Sequence, residues 1–418
     1  MSFAEKQKGI GLGTQIMLGM ILGFIFGHFF PAFSVSLKVL GDLFIRMVKM
    51  IIVPLIFSSL IMGIAGTGDF KKLGRLGGKT LIWFEVATTI ALAIGLFFAN
   101  FFKPGSGVVM SGAIDSSNAQ QMASKSIDMM QTILNIVPTN IIDGMARGDM
   151  LQIVFFSTFF GVAVASIGER GQRVVTLATD IAETMFKFTY YVMRLAPIGV
   201  FAMCAYAVGK FGLTMLIPLS KLIFTLYGAL FLFLVVLFTF VYLFTRVNLR
   251  HFFRCIKEPA MLAFTTTTSD AALPVALRNL ERFGIPKNIA TFVLPTGYTF
   301  NLDGGTLYSA VALFFIAQLY NIEYTLVEEI MIMLTLMLAT KGIAAVPGGS
   351  FIVVAGTAAS LGLPMEGVAL LMGVDRILDM ARTGCNLIGN CAAALVIAHW
   401  EHQLPEDSLQ EGYAATFD

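Results

Sequence analysis

Asp375, Asp379, Arg382, Asn386 and Asn390 recur within GVDRILDMARTGCNLIGN at 373 to 390, in a segment otherwise built of Leu, Met, Ile, Val and Ala. Steps of four, three, four and four residues return to one face of an α-helix, so these groups form a single polar stripe on an apolar rod. Ionisable side chains at bilayer depth are costly, and they usually face a cavity or a substrate path. Two readings stand for Asp379 and Arg382. They neutralise each other as a buried ion pair, or they address opposite ends of a zwitterion. In the second, Asp379 takes an ammonium, Arg382 takes a side-chain carboxylate through its bidentate fork, and Asn386 reaches the α-carboxylate. That set of charges fits an acidic amino acid.

Three further places carry chemistry. In TFNLDGGTLY, Gly304 and Gly305 each weaken a helix by roughly 1 kcal/mol relative to alanine, so unwinding is expected beside Asn301 and Asp303. Freed carbonyls with those two side chains would hold a small cation or share a proton; otherwise the helix is merely kinked and a neighbouring hydroxyl satisfies the Asp. The run Thr265 to Ser269 offers hydroxyls and amides at a turn, a place for a carboxylate where a short helix begins. Asp270 closes that run, either as an N-cap or as a functional acid. Glu85 stands as an isolated carboxylate in WFEVATTIAL. It is a proton carrier, or it is hydrogen-bonded to Thr88 or Thr89.

The elements that must position these groups follow from composition. The chain has 418 residues, 57% of them hydrophobic and 13% charged, with a net charge of +2. This is the composition of a polytopic membrane protein. Apolar runs long enough to span, roughly 20 residues each, start near Leu12, Val39, Thr80, Leu151, Tyr190 and Leu216, and more follow from Ile289. They predict eight helices with two irregular apolar segments. Basic clusters at Lys6 and Lys8, at Lys71 to Lys79, and at Arg246 to Lys257 fall on one side, the cytoplasm, by the positive-inside rule. No basic stripe interleaved with aromatics supports nucleic-acid binding. Cys204, Cys255, Cys385 and Cys391 show no disulfide or zinc spacing.

After Arg246 the pattern changes. One apolar stretch is interrupted by TTTTSDAALP at 265 to 274, a second by TKGIAAVPGGS at 340 to 350. Each reads as a hairpin that enters the membrane and turns back, and each is followed by a polar-marked helix. Paired broken segments in two halves of a repeat point to a transporter's midplane site, because irregular backbone must line a cavity or pack against protein.

With these residues the chain resembles the dicarboxylate/amino acid:cation symporter family, the glutamate transporters, and within it the bacterial proton–glutamate symporters. The resemblance runs from GDLFIRMVKMIIVPLIFSSLIMGIA to DRILDMARTGCNLIGN and rests on the serine-rich tip, the NxDG break and the DxxRTxxN stripe in that order. It implies an all-α fold of eight transmembrane helices and two re-entrant hairpins in inverted repeats, assembled as a homotrimer. It further implies scaffold helices one and two in residues 1–78, a transport-domain helix three in 79–102, scaffold helices four and five in 103–213, an elevator-type transport domain in 214–400 and a cytoplasmic tail in 401–418. The expected setting is the cytoplasmic membrane of a prokaryote with both termini inside.

Carried over by position, the resemblance implies that Asp379 binds the substrate ammonium and Arg382 the side-chain carboxylate, with Asn386, Ser269 and Thr268 near the α-carboxylate. Thr383 adjoins them, and Val346 and Gly348 lie in the gate hairpin. L-Glutamate or L-aspartate is the implied substrate, since C4-dicarboxylate members lack that aspartate and neutral amino acid members lack that arginine. Departures concern the coupling ion. Asn390, Phe84, Ala87 and Gly305 stand where sodium-coupled members carry oxygen-bearing residues, and oxygen ligands are what sodium needs. Protons are therefore the expected coupling ion, with Glu85, Asp270 and Asp303 as candidates and no other cofactor. Sodium coupling is the alternative, through Thr299, Asn301 and Asp303. Arg376 is expected to supply at Thr267 the charge that some relatives carry in the hairpin tip. A C4-dicarboxylate symporter and an anion channel are further alternatives. An intramembrane aspartyl protease using Asp303 with Asp375 or Asp379 is disfavoured, because Arg382 would hold Asp379 ionised and no GxGD motif is present.

Overall fold

The computed structural model describes residues 12–65, 70–106, 134, 137–213, 216–342 and 349–404. The sequence-based expectations for Val346, Gly348, most of the polar loop after Lys103 and the tail beyond Leu404 lie outside the described residues, as does the side chain of Asp270. Among the described residues the secondary structure is helical throughout: α1 (Leu12–Phe29), α2 (Pro31–Ser36), α3 (Lys38–Ala65), α4 (Phe70–Phe102), α5 (Ile141–Arg147), α6 (Met150–Ser166), α7 (Gln172–Met193), α8 (Ala196–Phe211), α9 (Leu216–Thr245), α10 (Leu249–Thr266), α11 (Ser269–Phe283), α12 (Lys287–Phe300), α13 (Asp303–Leu319), α14 (Leu326–Ala339), α15 (Gly349–Ser360) and α16 (Met365–Trp400). Five of the helical stretches are long and apolar enough to cross a membrane, or six if the bent pair α7 and α8 counts as one.

The apolar-run reading placed a span at Tyr190. The structure instead has α7 and α8 meeting at a 50° bend there. Helix α7 carries Arg173, Asp180, Glu183 and Lys187 on its exposed side and buries Val175, Ala178 and Ala182, so its signal is amphipathic rather than continuously apolar. Pro197 then sits in the first turn of α8, where a missing N–H costs nothing.

Packing falls into two groups. In one, α3 lies against α6, α7 and α8, and α1 against α8. Gly19, Gly23 and Gly27, one turn apart on α1, let its backbone close on the carbonyls of Pro197, Phe201 and Ala205, where a Cβ would come within 2.5–2.6 Å. In the other group, α16 packs on α9, α10, α12 and α13, and α13 on α4. Every residue of α13 from Asp303 to Ala317 is buried, as an all-round apolar helix requires. Helix α16, 36 residues and so about 54 Å long, runs through this second group with the polar stripe in its middle. The groups touch where α8 and α1 meet α16, and where α15 meets α3.

Candidate functional site

The stripe on α16 faces inward: Asp379, Arg382, Thr383, Asn386 and Asn390 are all buried. Arg382 is the pivot. Its Nε donates to Asp379 Oδ1 at 2.9 Å, while Nη1 and Nη2 clasp the two oxygens of Asp375 at 2.8 and 3.2 Å. The guanidinium also lies 4.3 Å from the centre of the Tyr308 ring, a stacked cation–π placement that suits arginine. A guanidinium this buried needs both carboxylates to offset its desolvation. Asp379 Oδ1 additionally accepts from Thr383 Oγ1 at 3.2 Å. Among the described residues its other oxygen makes no hydrogen bond.

Helix α12 ends at a break beside Asn301 and Asp303. The irregular residues are Asn301 and Leu302, with ψ of 65° and 60°, whereas Gly304 and Gly305 lie in the first turn of α13. Those glycines serve close approach: a Cβ on Gly304 would meet the Arg382 carbonyl at 2.5 Å, and one on Gly305 the Ser350 hydroxyl at 2.5 Å. Their N–H groups point at Asn386, which accepts from both on Oδ1 at 2.8 and 3.2 Å. Asn386 thus satisfies orphan donors at the start of α13, and only its Nδ2 is left for a ligand.

Below the break, Asn301 Nδ2 donates to Asp303 Oδ2 at 3.1 Å and to Asn390 Oδ1 at 3.0 Å. Gly297 gives Asn390 room, since a Cβ there would fall 2.2 Å from its Oδ1. Asn301 Oδ1 and Asp303 Oδ1 are buried without a partner. Asn390 Nδ2, a donor, is unpartnered as well, and the two buried acceptors of this cluster call for a proton or a small cation. Thr299, the third expected sodium ligand, is half-buried one turn back and makes no hydrogen bond to either.

The α10–α11 hairpin turns at Thr267, whose φ of 56° is left-handed. Thr268 holds the N-cap position of α11 and Ser269 its first residue, so Asp270 is not the N-cap. The tip is held against α12 by Tyr298, whose hydroxyl donates to the Ser269 carbonyl at 3.1 Å. It is held against α16 by Arg376, whose Nη1 donates to Thr267 Oγ1. Ser269 is buried beside the stripe.

Glu85 is not an isolated acid. Its Oε1 lies 3.0 Å from Lys341 Nζ, and the contact to Thr89 runs from that hydroxyl to the Glu85 carbonyl, not the carboxylate. Lys341 is the site residue that the sequence did not offer. It sits in a polar-looking turn that reads as ordinary loop, and only the fold brings it to α4.

A profile of the sodium:dicarboxylate symporter family matches residues 12–400. The chain belongs to that family. Its members carry solutes across membranes rather than transform them, which removes the protease reading; Asp375 and Asp379 here both bond Arg382. With its apolar helices, the chain is a multi-pass membrane protein. It is 46% identical to the "Proton/sodium-glutamate symport protein" of Geobacillus stearothermophilus over 96% of this chain and 97% of that one. It is 46% identical to the "Proton/glutamate-aspartate symporter" of Escherichia coli over 95% and 94%. A "C4-dicarboxylate transport protein" of Bacillus subtilis is 41% identical over 94% of each chain.

Proposed function

We propose that this chain imports L-glutamate and L-aspartate together with protons, as a homotrimeric elevator in the cytoplasmic membrane. The observation that carries the reading is Arg382, buried between Asp375 and Asp379, with one oxygen of Asp379 and the Asn386 Nδ2 group making no hydrogen bond among the described residues. An incoming side-chain carboxylate takes Asp375's place on the guanidinium fork, an exchange of one bidentate partner for another. The substrate ammonium goes to the open oxygen of Asp379, near the Thr383 hydroxyl. The α-carboxylate meets Asn386 Nδ2 and the hairpin tip at Thr268 and Ser269. Relatives named for glutamate and aspartate support the same substrates.

For the coupling ion, the buried and unpartnered Asp303 Oδ1 favours a proton: a carboxylic acid there turns an acceptor with no donor into a donor. The relative named proton/sodium keeps sodium as the second reading. Grouping α7 with α8, and α12 with α13, gives eight crossings, with α10–α11 and α14–α15 as hairpins. The moving body is then α4 with α9 to α16, and the scaffold α1 to α3 with α6 to α8.

Uptake of labelled glutamate into proteoliposomes is expected to follow an imposed pH gradient in sodium-free medium. Uptake that needs sodium and ignores pH would sink the proton reading. Arg382→Ala should weaken glutamate and aspartate binding by over a hundredfold, about 3 kcal/mol, since a charged bidentate contact is lost. Unchanged affinity in that variant would refute the substrate assignment. A competition panel with succinate separates the C4-dicarboxylate alternative, because a ligand without an ammonium brings no donor to the open oxygen of Asp379.

A further inference from the structure

Lys341 stands in the short 3-10 turn Thr340–Gly342 that follows α14. Its Nζ lies 3.0 Å from Glu85 Oε1, 3.0 Å from Thr88 Oγ1 and 3.0 Å from the Phe300 carbonyl oxygen. All three ammonium hydrogens are thereby used. The third contact is a consequence of the helix break. In an unbroken helix the Phe300 carbonyl would accept from the N–H of residue 304, four positions on, but Gly304 N donates to Asn386 instead. Phe300 is left with an orphan carbonyl beside the unpartnered acceptors of Asn301 and Asp303. Thr88 is buried and the Lys341 side chain is only 12% exposed, so the ammonium is held on its buried side by the Thr88 hydroxyl and the Phe300 carbonyl, while Glu85, 48% exposed, closes the cluster from outside.

A carboxylate, a hydroxyl and a peptide carbonyl are the hard oxygen donors that group-one and group-two metal cations take. A plain surface ion pair would need Glu85 alone. We infer that Glu85, Thr88 and the Phe300 carbonyl form a monovalent-cation site, and that the Lys341 ammonium fills it as a tethered ion and keeps sodium out. Because the lysine is covalent, this part of the transport body needs no metal cation to balance Glu85. The inference deepens the proton-coupled reading and depends on it only for the role of the site in transport.

The test uses the full-length chain, with Lys341→Met and Lys341→Gln removing the charge and Lys341→Arg keeping it. Thermal unfolding in detergent is compared in about 100 mM sodium chloride and in choline chloride, since a cation that binds only the folded state raises its melting temperature. Glutamate uptake into proteoliposomes is compared in the same salts without a pH gradient. In Lys341→Met, sodium is expected to raise the melting temperature and to stimulate uptake about tenfold, while the parent and Lys341→Arg change by less than about twofold. Adding Glu85→Ala to Lys341→Met should abolish the gain. The inference is overturned if folded Lys341→Met behaves alike in both salts, or if the gain survives Glu85→Ala. A parent as sodium-responsive as the variant overturns it too, as do Lys341→Met and Lys341→Gln both unfolded in sodium and choline alike. Failure of the parent to respond to a pH gradient would strike the proton reading and leave the sodium arms to decide this one.

Discussion

Asp303 presents the sharpest residue-scale problem, because one of its oxygens is bonded to Asn301 and the other is buried with nothing to accept from. Asp303→Asn places a permanent donor where a transferable proton is proposed. Counterflow of glutamate should persist while uptake driven by a pH gradient falls at least about tenfold, an effect of the size usual for losing a positioned proton carrier. Equal loss of both activities in labelled-glutamate assays would make Asp303 structural. The α16 stripe is legible in the sequence because its groups share one helix and one periodicity. Asn301 and Asp303 are legible because a polar pair next to two glycines is out of place in an apolar run. Asn386's grip on the start of α13 is not, since its partners lie 82 and 81 residues away. The Lys341 contact to Thr88 spans 253 residues. No local pattern encodes such meetings; packing alone makes them.

At the scale of elements, the end of α16 is tied to the start of α4. Glu401 accepts from Arg75 Nη2 at 2.6 Å and lies 2.6 Å from Lys79 Nζ, and Lys79 also donates to the Trp400 carbonyl at 2.9 Å. The Arg75 hydrogen bonds first, and Lys79 next, hold the Glu401 carboxyl down from 4.5 to about 2. A depressed carboxylate stabilises the fold in full above its ordinary value, and the gain is lost as pH falls through the folded value. Glu401→Gln should therefore lower the melting temperature at pH 7 by about 2 °C, with the gap to the parent closing as pH falls from about 4.5 toward 2. A gap independent of pH would refute this account. On α12, Gly297→Ala drives a methyl into Asn390 and should cost about 1–3 kcal/mol as overpacking, read as a lower melting temperature. The helices themselves are mostly foreseeable from apolar length. The break at Asn301 lies where a polar pair beside two glycines suggests it, but glycine signals flexibility in a sequence, whereas Gly304 and Gly305 serve contact with Arg382 and Ser350. Helix α7 escapes notice because its exposed face is charged.

Across the whole molecule, two bodies meet along a limited seam. Lys38 of α3 pairs with Glu366 of α16 at 3.3 Å, and Met203 of α8 packs on Met365. The proposed sliding of one group of helices past the other would part these contacts. With the native cysteines replaced, a disulfide between Met203→Cys and Met365→Cys should stop glutamate uptake, and reduction should restore it; full activity while cross-linked would refute the elevator motion. The resemblance points to two such bodies, but their contacts are long-range and cannot be read from any single segment. Lys341 also bears on how voltage acts on this machine. A sodium ion released inside crosses the membrane once per cycle and is worth about 2.3 kcal/mol per 100 mV. Under the proposed elevator motion, an ammonium fixed to the chain would cross with the loaded carrier and return with the empty one. Its net displacement per cycle is zero, so exchanging a metal ion for a lysine makes transport less electrogenic by one charge while leaving the pocket's own electrostatic balance intact.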